Sequence, residues 1–324
     1  MNNNPFLYAM ALGLLLSAGC VSAPLQPEEK ETIKVAYLPS YQSLPLFVAV
    51  EQGMFEEAGL KVDVLRIETP KDIIDGLITG KIDGGPHSVA AGIATIVESQ
   101  NPGALKVYAL TCVYATHRAT EILVPVDSTL SSIAELRGKK IGHIPGPQWA
   151  TMTKKTLLVN GIRLEDVTLI ELPFSSQLPT LASHGVDAIF TLEPTGFIGE
   201  QKNSAKVLLQ APFEKNVVNP WCGGAGVVST KFIQRNPSMA KKFVEIMNRA
   251  GKEVETNPET RKYLVQYLQL PEDAAKQVDI GKLIPVSEAT PEIIDAYQQF
   301  ADVFLELEVT SKKVNVKDLF WSGS

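Results

Sequence analysis

The stretch Ile33-Lys34-Val35-Ala36-Tyr37-Leu38-Pro39-Ser40 decides the fold, because its pattern returns further along the chain. The first six residues predict a strand that ends at Pro39. A helical stretch, a turn at Gly59-Leu60, a second strand and a second helix follow, and the unit closes at Gly80-Lys81-Ile82-Asp83. This order predicts an α/β unit of about fifty residues.

A second copy of this unit starts at Lys140-Ile141-Gly142-His143-Ile144, breaks at Pro145-Gly146-Pro147 and closes at Gly185-Val186-Asp187-Ala188. From the turn glycine to the aspartate is 24 residues in the first copy (59 to 83) and 26 in the second (161 to 187). Breakers, turns and acidic positions fall in the same order, and we therefore predict two similar α/β lobes. The alternative is that such short motifs recur by chance in any α/β protein.

Length and composition agree with two lobes. A chain of 324 residues exceeds what a single hydrophobic core usually serves. Apolar residues make up 45% and charged residues 20%, as in an ordinary soluble globular protein. The formal net charge of −6 provides no basic surface, so we expect no nucleic acid partner.

The first twenty residues predict an export signal. Residues 6–16 are nearly all apolar but too few to span a bilayer comfortably, and small residues at 17–19 precede Cys20. This segment resembles the lipobox of bacterial secreted lipoproteins, which implies removal of residues 1–19 and attachment of lipid to Cys20. The alternative is an ordinary secretory signal that is cut nearby and leaves Cys20 without a role.

Residues 20–31 predict a flexible tether. They include Pro24, Pro27 and three glutamates, and they offer little apolar surface to bury. No later stretch reaches the length of a membrane span. We therefore expect the globular part to be held at a membrane only through its N-terminal lipid.

Cys112 and Cys222 are the remaining cysteines. An exported chain meets oxidising conditions, so the two could form a disulfide, but a separation of 110 residues says nothing about their geometry. Cys112 lies in an apolar run and is most simply explained as a small buried residue. Neither has the neighbours of a metal site, and the common local catalytic motifs are absent, so we predict no metal, cofactor or catalytic residue.

The chain has to pass from one lobe to the other and back. Candidate crossing strands are residues 119–124 and the glycine-rich stretch 223–228. Glycine lets backbone torsions change as a hinge requires, and it also permits close approach in plain strand pairing. These crossings place lobe 1 at 32–117 and 226–324, and lobe 2 at 118–225.

The sequence becomes helical after the return. Asn236-Pro237, Asn257-Pro258 and Thr290-Pro291 each put a capping side chain before a proline at the first helical position. The last of these helices carries an apolar stripe that we expect to pack on lobe 1. The stripe consists of Ile293, Ile294, Tyr297, Phe300, Ala301 and Phe304.

Longer motifs identify a family. Residues 49–62 (AVEQGMFEEAGLKV), 80–83 (GKID), 136–142 (LRGKKIG) and Asp187-Ala188 with Glu193-Pro194 resemble the solute-binding proteins of ABC importers. Within these, the chain is similar to the group that handles nitrate, sulfonate, taurine and pyrimidine precursors of thiamine (SsuA/THI5-like). The resemblance implies a periplasmic-binding-protein-like (type II) clamshell with two crossing strands, a monomer that binds a small molecule in its cleft and delivers it to ABC permease subunits.

The candidate ligand contacts come from loops outside the carboxyl ends of the strands, where helix N-termini offer free N–H donors. One of these, residues 84–88, is expected to lead into a helix near residues 89–97. Each contact has a structural alternative: the serines could cap helices, the aromatic residues could pack between the lobes, and the histidine could be structural. The candidates are Ser40, Tyr41, Ser43, His87, Ser88, Gly146, Gln148, Glu193 and Trp221.

Glu193 bears on the charge of the cargo. A carboxylate in a closing cleft would favour an amine or an aminopyrimidine, unless it pairs with a lysine or points to solvent. No arginine lies in the candidate loops, and Arg118, with His117, is the nearest fixed cation. A sulfonate-like or nitrate-like anion would then rely on helix N-termini.

Two other classes of function stay open. An enzyme on the same fold, pyrimidine-synthase-like or menaquinone-pathway-like, would be cytoplasmic and would need histidines or acids in the cleft. The predicted export signal favours the binding protein over the enzyme. The third class is a sensory module that binds the same ligand and contacts a receptor.

Overall fold

The computed structural model describes residues 31–323, which form an α/β structure with two mixed sheets. The strands are β1 (Thr32–Tyr37), β2 (Lys61–Arg66), β3 (Gly84–Ala90), β4 (Leu105–Val113), β5 (Thr120–Pro125), β6 (Lys140–His143), β7 (Thr168–Glu171), β8 (Ala188–Leu192), β9 (Ala205–Gln210), β10 (Trp221–Ser229) and β11 (Lys282–Pro285). The α-helices are α1 (Leu44–Glu51), α2 (Met54–Glu57), α3 (Pro70–Thr79), α4 (Ala91–Gln100), α5 (Pro147–Val159), α6 (Phe174–Ala182), α7 (Thr195–Gln201), α8 (Pro212–Asn216), α9 (Thr230–Arg235), α10 (Pro237–Thr256), α11 (Lys262–Leu268), α12 (Glu272–Gln277) and α13 (Pro291–Glu306).

The two sheets share one plan. The first has the order β11-β4-β10-β3-β1-β2 and the second β7-β6-β8-β5-β9; lobe 1 and lobe 2 denote the elements around each. Strand β1 lies between its parallel partners β2 and β3, as β6 does between β7 and β8. Antiparallel strands continue each sheet, β10 and β4 in lobe 1 and β5 and β9 in lobe 2. The repeat predicted from the sequence is confirmed.

A shared contact explains why an aspartate closes each copy. Asp83 Oδ2 accepts the backbone N–H of Lys34 at 2.9 Å, and Asp187 Oδ2 accepts that of Lys140 at 2.8 Å. In both copies the backbone N–H of the aspartate donates to the carbonyl oxygen of the same lysine at 2.8 Å. The aspartate therefore ties the start of the third strand to the first strand.

The predicted helix caps in the C-terminal part are confirmed. The side chains of Asn236, Asn257 and Thr290 each accept a backbone N–H two or three residues further on. They cap α10, a short 3-10 helix at Pro258–Arg261, and α13. The predicted stripe on α13 is buried except for Ile294, which is half-buried. It packs on α4 and β10 of lobe 1 and also contacts α5 of lobe 2.

The chain passes between the lobes just before each predicted crossing segment. Residues 114–119 link β4 to β5, and residues 217–220 link α8 to β10. The links contact each other, because the Ala115 N–H donates to Asn219 Oδ1 at 3.0 Å. Strand β10 already belongs to the first sheet from Trp221 onward.

The glycines at 223–226 allow close packing inside the first sheet. Strand β10 lies between β3 and β4. A Cβ atom on Gly224 would lie 2.5 Å from the His87 carbonyl oxygen, and one on Gly226 would lie 2.3 Å from the Tyr108 ring. Close approach, one of the two roles considered for this stretch, therefore requires glycine here.

Cys112 and Cys222 form a disulfide. Cys112 lies on β4 beside the outward link, and Cys222 lies on β10 beside the return link. The bridge therefore closes a loop that contains the whole sheet of lobe 2.

Residues 84–90 correct one prediction. They form β3 rather than a loop, and α4 starts only at Ala91. All seven residues are buried, and β1 and β10 pair with β3 on its two sides. The register of β10 against β3 shifts between Ala225 and Val227, opposite the segment of β3 that contains Pro86. Tertiary pairing thus overrides the local turn preference.

Residues 1–30 lie outside the described part, and with them the predicted signal peptide, the lipidation site Cys20 and most of the predicted tether. Glu31, the last residue of that tether, forms an ion pair with Arg235. Among residues 31–323, no helix has the length and apolar character needed to cross a membrane.

Candidate functional site

A cavity lies between the lobes at the carboxyl ends of the parallel strands, where an α/β sheet offers its ligand crevice. Its volume is about 20 Å³, which is room for roughly one water molecule. The lining residues are Leu38, Ser40, Gln42, Pro70, Ser88, Ala90, Trp221 and Gly223 from lobe 1, and Ile144, Gln148, Trp149, Phe174 and Leu192 from lobe 2.

The wall of the cavity carries no ionisable side chain. Apolar groups alternate with the hydroxyls of Ser40 and Ser88, the carboxamides of Gln42 and Gln148, and two indoles. Such a wall supplies hydrogen bonds without a full charge of either sign. Four of the nine candidate ligand contacts therefore lie on this wall: Ser40, Ser88, Gln148 and Trp221.

Two polar atoms of the wall are buried without a hydrogen-bond partner, Ser40 Oγ and Trp221 Nε1. The Trp221 ring is fixed by edge-on contacts with Trp149 and Phe213, at centroid distances of 5.7 and 4.8 Å. Buried polar groups are normally paired, and an indole N–H can only donate. An acceptor atom in the cavity would satisfy it.

Gln148 connects the lobes across the cavity. Its Oε1 accepts the backbone N–H of Gly92 at 2.7 Å, and its Nε2 donates to the carbonyl oxygen of Gly223 at 2.9 Å. Gly92 belongs to the first turn of α4, and Gln148 belongs to the first turn of α5. The sequence placed Gln148 at the cleft but not in this bridging role.

Ser43 and Ser88 shape the turn after β1. Ser43 Oγ lies 2.7 Å from the Leu38 carbonyl oxygen and 2.8 Å from Ser88 Oγ. The Leu38 N–H donates to Ser88 Oγ at 3.4 Å. Ser43 is buried behind the wall, so in this arrangement it supports Ser88 and Leu38 rather than lining the cavity.

His87 and Tyr41 also lie behind the wall. His87 alternates with Ser88 along β3, packs edge-on to Tyr108, and burial lowers its pKa to about 3. The Tyr41 hydroxyl is buried without a partner, and its pKa is raised by burial first and then by the charge of Glu214. Neither group lines the cavity.

Gly146 caps the N-terminus of α5 with a φ of +109°, a conformation that L side chains rarely adopt. Its N–H donates to Glu171 Oε1 at 3.0 Å. This N–H is therefore taken by a side chain of the same lobe, and Gly146 does not line the cavity.

Glu193 is held in a charge cluster beside the outward link. Arg118 Nε donates to Glu193 Oε1 at 2.5 Å and to Glu121 Oε1 at 2.9 Å, and Arg118 Nη2 donates to Glu200 Oε2 at 2.6 Å. Glu193 Oε2 also accepts the N–H of Phe197 in the first turn of α7 at 3.0 Å. Its partner is thus the arginine named from the sequence as the nearest cation, and its carboxylate does not line the cavity.

Two buried acids of lobe 2 have raised pKa values. Burial and the neighbouring charge of Glu193 raise the pKa of Glu121. Burial raises the pKa of Glu214 to about 7, although Glu214 Oε2 accepts the Thr120 hydroxyl at 2.6 Å. Glu214 Oε1 is buried without a partner.

Sequence reasoning missed Gln42, Pro70 and Phe174 as wall residues. Pro70 opens α3 and Phe174 opens α6, so they take equivalent places in the two copies. The candidate contacts predicted from the sequence came from the loops after the first and third strands of each copy. The end of the second strand reaches the same sheet edge, and that signal would have found Pro70 and Phe174.

A family model described as "NMT1/THI5 like" matches residues 40–261, more than half of the chain. The chain belongs to the NMT1/THI5-like family. The resemblance stated from the sequence motifs is thereby confirmed. Within residues 31–323 of this NMT1/THI5-like protein, no group of three or more His, Cys, Asp or Glu side chains is arranged to hold a metal ion.

Named relatives of this NMT1/THI5-like protein include binding proteins and an enzyme. It is 27% identical over 323 residues, 97% of this chain and 93% of the relative, to a Bacillus subtilis (strain 168) protein named "Putative aliphatic sulfonates-binding protein". It is 21% identical, over 71% of this chain and 68% of the relative, to a 4-amino-5-hydroxymethyl-2-methylpyrimidine phosphate synthase of Saccharomyces cerevisiae.

Solved structures share the fold. The alkanesulfonate-binding protein SsuA from Xanthomonas axonopodis pv. citri, bound to MOPS, has a TM-score of 0.73 at 20% identity and covers 90% of this chain and 98% of its own. The ligand-binding component of an ABC-type import system from Staphylococcus aureus, with zinc bound, has a TM-score of 0.75 at 15% identity and covers 90% and 97%. The two-lobed, periplasmic-binding-protein-like clamshell predicted from the sequence is therefore confirmed.

Proposed function

We propose that this protein is the extracytoplasmic solute-binding component of an ABC importer. Its cargo is a small solute with an oxyanion group, of the sulfonate or nitrate kind, held in the cleft between the lobes. A bridging ligand favours closure by the contacts that it makes only in the closed state. The permease subunits then recognise the closed surface.

The chemistry of the cavity wall carries the choice of an oxyanion. Trp221 Nε1 is a donor without a partner, and the first turn of α4 adds backbone N–H groups. The indole N–H calls for an acceptor atom on the ligand, and the Gly92 N–H, which now donates to Gln148 Oε1, would suit a second one. The carboxylate of Glu193, which would have favoured an amine, pairs with Arg118 and does not line the cavity.

The side chains that line the cavity support an enzyme less well than a binding protein. General acid–base chemistry needs a titratable group within hydrogen-bond reach of the substrate. The His87 side chain lies behind the wall, packed on Tyr108, and the wall residues have no titratable side chain. The binding role, which most named relatives share, is the better account.

Ligand-induced stabilisation tests the proposed cargo. The chain from Val21 onward would be melted with methanesulfonate, taurine, nitrate, sulfate, choline or an aminopyrimidine. A ligand at one hundred times its Kd adds about 2.7 kcal/mol of stability. We expect a shift of several degrees with a sulfonate or nitrate; a shift with choline or the aminopyrimidine alone would overturn the oxyanion assignment, and no shift at all would favour the enzyme class.

Trp221→Phe sharpens this test because it keeps a ring and removes the N–H. A hydrogen bond to a charged group contributes about 1.5–3 kcal/mol, so the Kd for the oxyanion should rise roughly tenfold or more. Trp149→Phe removes the other indole N–H of the wall and should have a smaller effect. Equal effects of the two variants would contradict a specific role for Trp221.

We further propose that the protein is exported and anchored to the cell envelope through lipid on Cys20. The lipobox-like segment at residues 16–20 supports this proposal. Full-length Cys20→Ser should leave the membrane fraction, as should a wild-type protein treated to block lipid transfer. A membrane-bound Cys20→Ser protein would contradict it.

A further inference from the structure

Gln148 joins the two lobes through both ends of its carboxamide. The acceptor end takes the Gly92 N–H of lobe 1, and the donor end reaches the Gly223 carbonyl oxygen on β10. The side chain itself starts from α5 of lobe 2 and is 3% exposed. Both hydrogen bonds are therefore shielded from water.

The Gly92 N–H is a place where a ligand oxygen would bind. It lies in the first turn of α4, whose N-cap residue, Ala90, provides no side-chain acceptor. Helix N-termini favour anions because their N–H groups and dipole point at the ligand. The unpartnered Ser40 Oγ and Trp221 Nε1 line the same cavity and point to a ligand independently of the helix.

The closed cavity is too small for a sulfonate, since about 20 Å³ holds roughly one water. A cargo must therefore displace part of the wall. Among the wall groups, the Gln148 carboxamide already places an acceptor atom, Oε1, at the Gly92 N–H. Its oxygen is neutral, and a charged acceptor makes a hydrogen bond roughly twice as strong.

We propose that Gln148 is a self-ligand: its Oε1 holds, at the Gly92 N–H, the position that an oxygen of the cargo takes on binding. Gln148 is then a positioning residue that stabilises the closed lobes and selects for charge. A neutral oxygen gains little by replacing it, whereas an oxyanion gains a stronger bond. The identity of the cargo as an oxyanion rests on the proposed function.

The first test needs no cargo. Small-angle scattering of the chain from Val21 onward would compare the wild type with Gln148→Ala, and we expect a larger radius of gyration for the variant. Gln177→Ala is the matched control, because Gln177 is a buried glutamine whose two ends bond to Thr191 and Leu172 inside lobe 2. An unchanged radius in Gln148→Ala, or the same increase in both variants, would overturn the bridging role.

The second test measures affinity for methanesulfonate and for neutral methanesulfonamide. Removal of a competing internal ligand destabilises only the cargo-free closed state, so Gln148→Ala should bind methanesulfonate about five- to tenfold more tightly. Its preference for methanesulfonate over methanesulfonamide should shrink. Weaker binding by Gln148→Ala would instead make Gln148 a direct cargo contact and overturn the proposal.

The two tests separate this inference from the proposed function. If neither protein binds an oxyanion but only Gln148→Ala opens, the cargo assignment fails and Gln148 still joins the lobes. If the wild type binds an oxyanion and the scattering curves coincide, the proposed function stands and the self-ligand fails.

Discussion

The two lobes repeat one strand order, but they differ in what accepts the backbone N–H groups at the start of the helix after the third strand. In lobe 2, Glu193 accepts the Phe197 N–H in the first turn of α7, and Arg118 neutralises it. In lobe 1, α4 has no acceptor of its own, and Gln148 of the other lobe takes the Gly92 N–H. Symmetry of fold therefore does not give symmetry at the cleft, because the first turn of α7 is bonded within its own lobe, whereas the first turn of α4 is bonded by the other lobe.

The disulfide gives the largest expected effect, because the loop that it closes contains the whole sheet of lobe 2. In the chain-entropy model, a bridge across 110 residues stabilises the fold by about 5 kcal/mol. We expect Cys112→Ser with Cys222→Ser to lower the free energy of unfolding in urea by about that amount. Reduced wild-type protein is the control and should match the double variant. Equal stability of oxidised and reduced wild type would contradict the expectation.

Arg118→Ala tests how much the folded state depends on the ion pair between Arg118 and Glu193, the acid that bonds to the first turn of α7. Glu121 and Glu193 are buried, and Arg118 contacts both. Breaking a buried ion pair from one side costs about 3 kcal/mol, the lower value of the usual range because Arg118 is partly exposed. We expect Arg118→Ala to lose that much stability in urea, and Glu193→Gln in the same background to restore part of it.

Arg163→Ala is the matched control for this change. Arg163 pairs with Asp166 on the exposed surface of lobe 2, where solvent screens the ion pair and its contribution to stability is small. Similar losses for the two arginine variants would show that the cluster at Glu193 behaves like an ordinary surface pair.

Asp83 and Asp187 make the same contact with the backbone of a lysine, but one is buried and the other is half-buried. Asp83 is buried and also accepts Arg235 Nη2 at 2.9 Å, whereas Asp187 is half-buried and bonds to Lys140. We expect Asp83→Ala to cost about 2 kcal/mol and Asp187→Ala about 1 kcal/mol in the free energy of unfolding. Urea denaturation would measure both losses in the free energy of unfolding. A larger loss for Asp187→Ala than for Asp83→Ala would contradict the expectation.

Local patterns in the sequence were sufficient to find the repeat. Strand, breaker, turn and closing aspartate lie within about fifty residues of each other, and the contacts of Asp83 and Asp187 follow from that order. The helix caps at Asn236, Asn257 and Thr290 were predictable for the same reason, since a cap acts over two or three residues.

The features that could not be predicted from the sequence depend on contacts between residues that are far apart in the chain. Glu193 meets Arg118 across 75 positions, and Gln148 meets Gly92 across 56. No local pattern fixes such pairs, because sheet order and lobe closure bring them together. Strand β3 was mistaken for a loop for a related reason: Pro86 favours a turn locally, and pairing with neighbouring strands decides the outcome.

The smallest expected effect is a pH dependence of folding stability that comes from Glu214 in lobe 2. The acids whose pKa burial raises in the described residues, Glu121 and Glu214, both lie in lobe 2. Glu214 keeps its proton in the folded chain up to a pKa of about 7, whereas an unfolded chain releases it near the ordinary value of 4.5. Between these values the unfolded state binds fewer protons, so stability falls as pH rises and levels off above pH 7.

From pH 6 to pH 8 this loss amounts to about 1 kcal/mol, since one pKa unit corresponds to about 1.4 kcal/mol. Glutamine cannot titrate, so Glu214→Gln should gain that amount over wild type across the same interval. Glu272→Gln, on an exposed turn of α12, is the control and should follow the wild-type curve. Parallel unfolding curves for wild type and Glu214→Gln would mean that Glu214 is already ionised in the folded chain, and lobe 2 would then bury an uncompensated charge beside Tyr41.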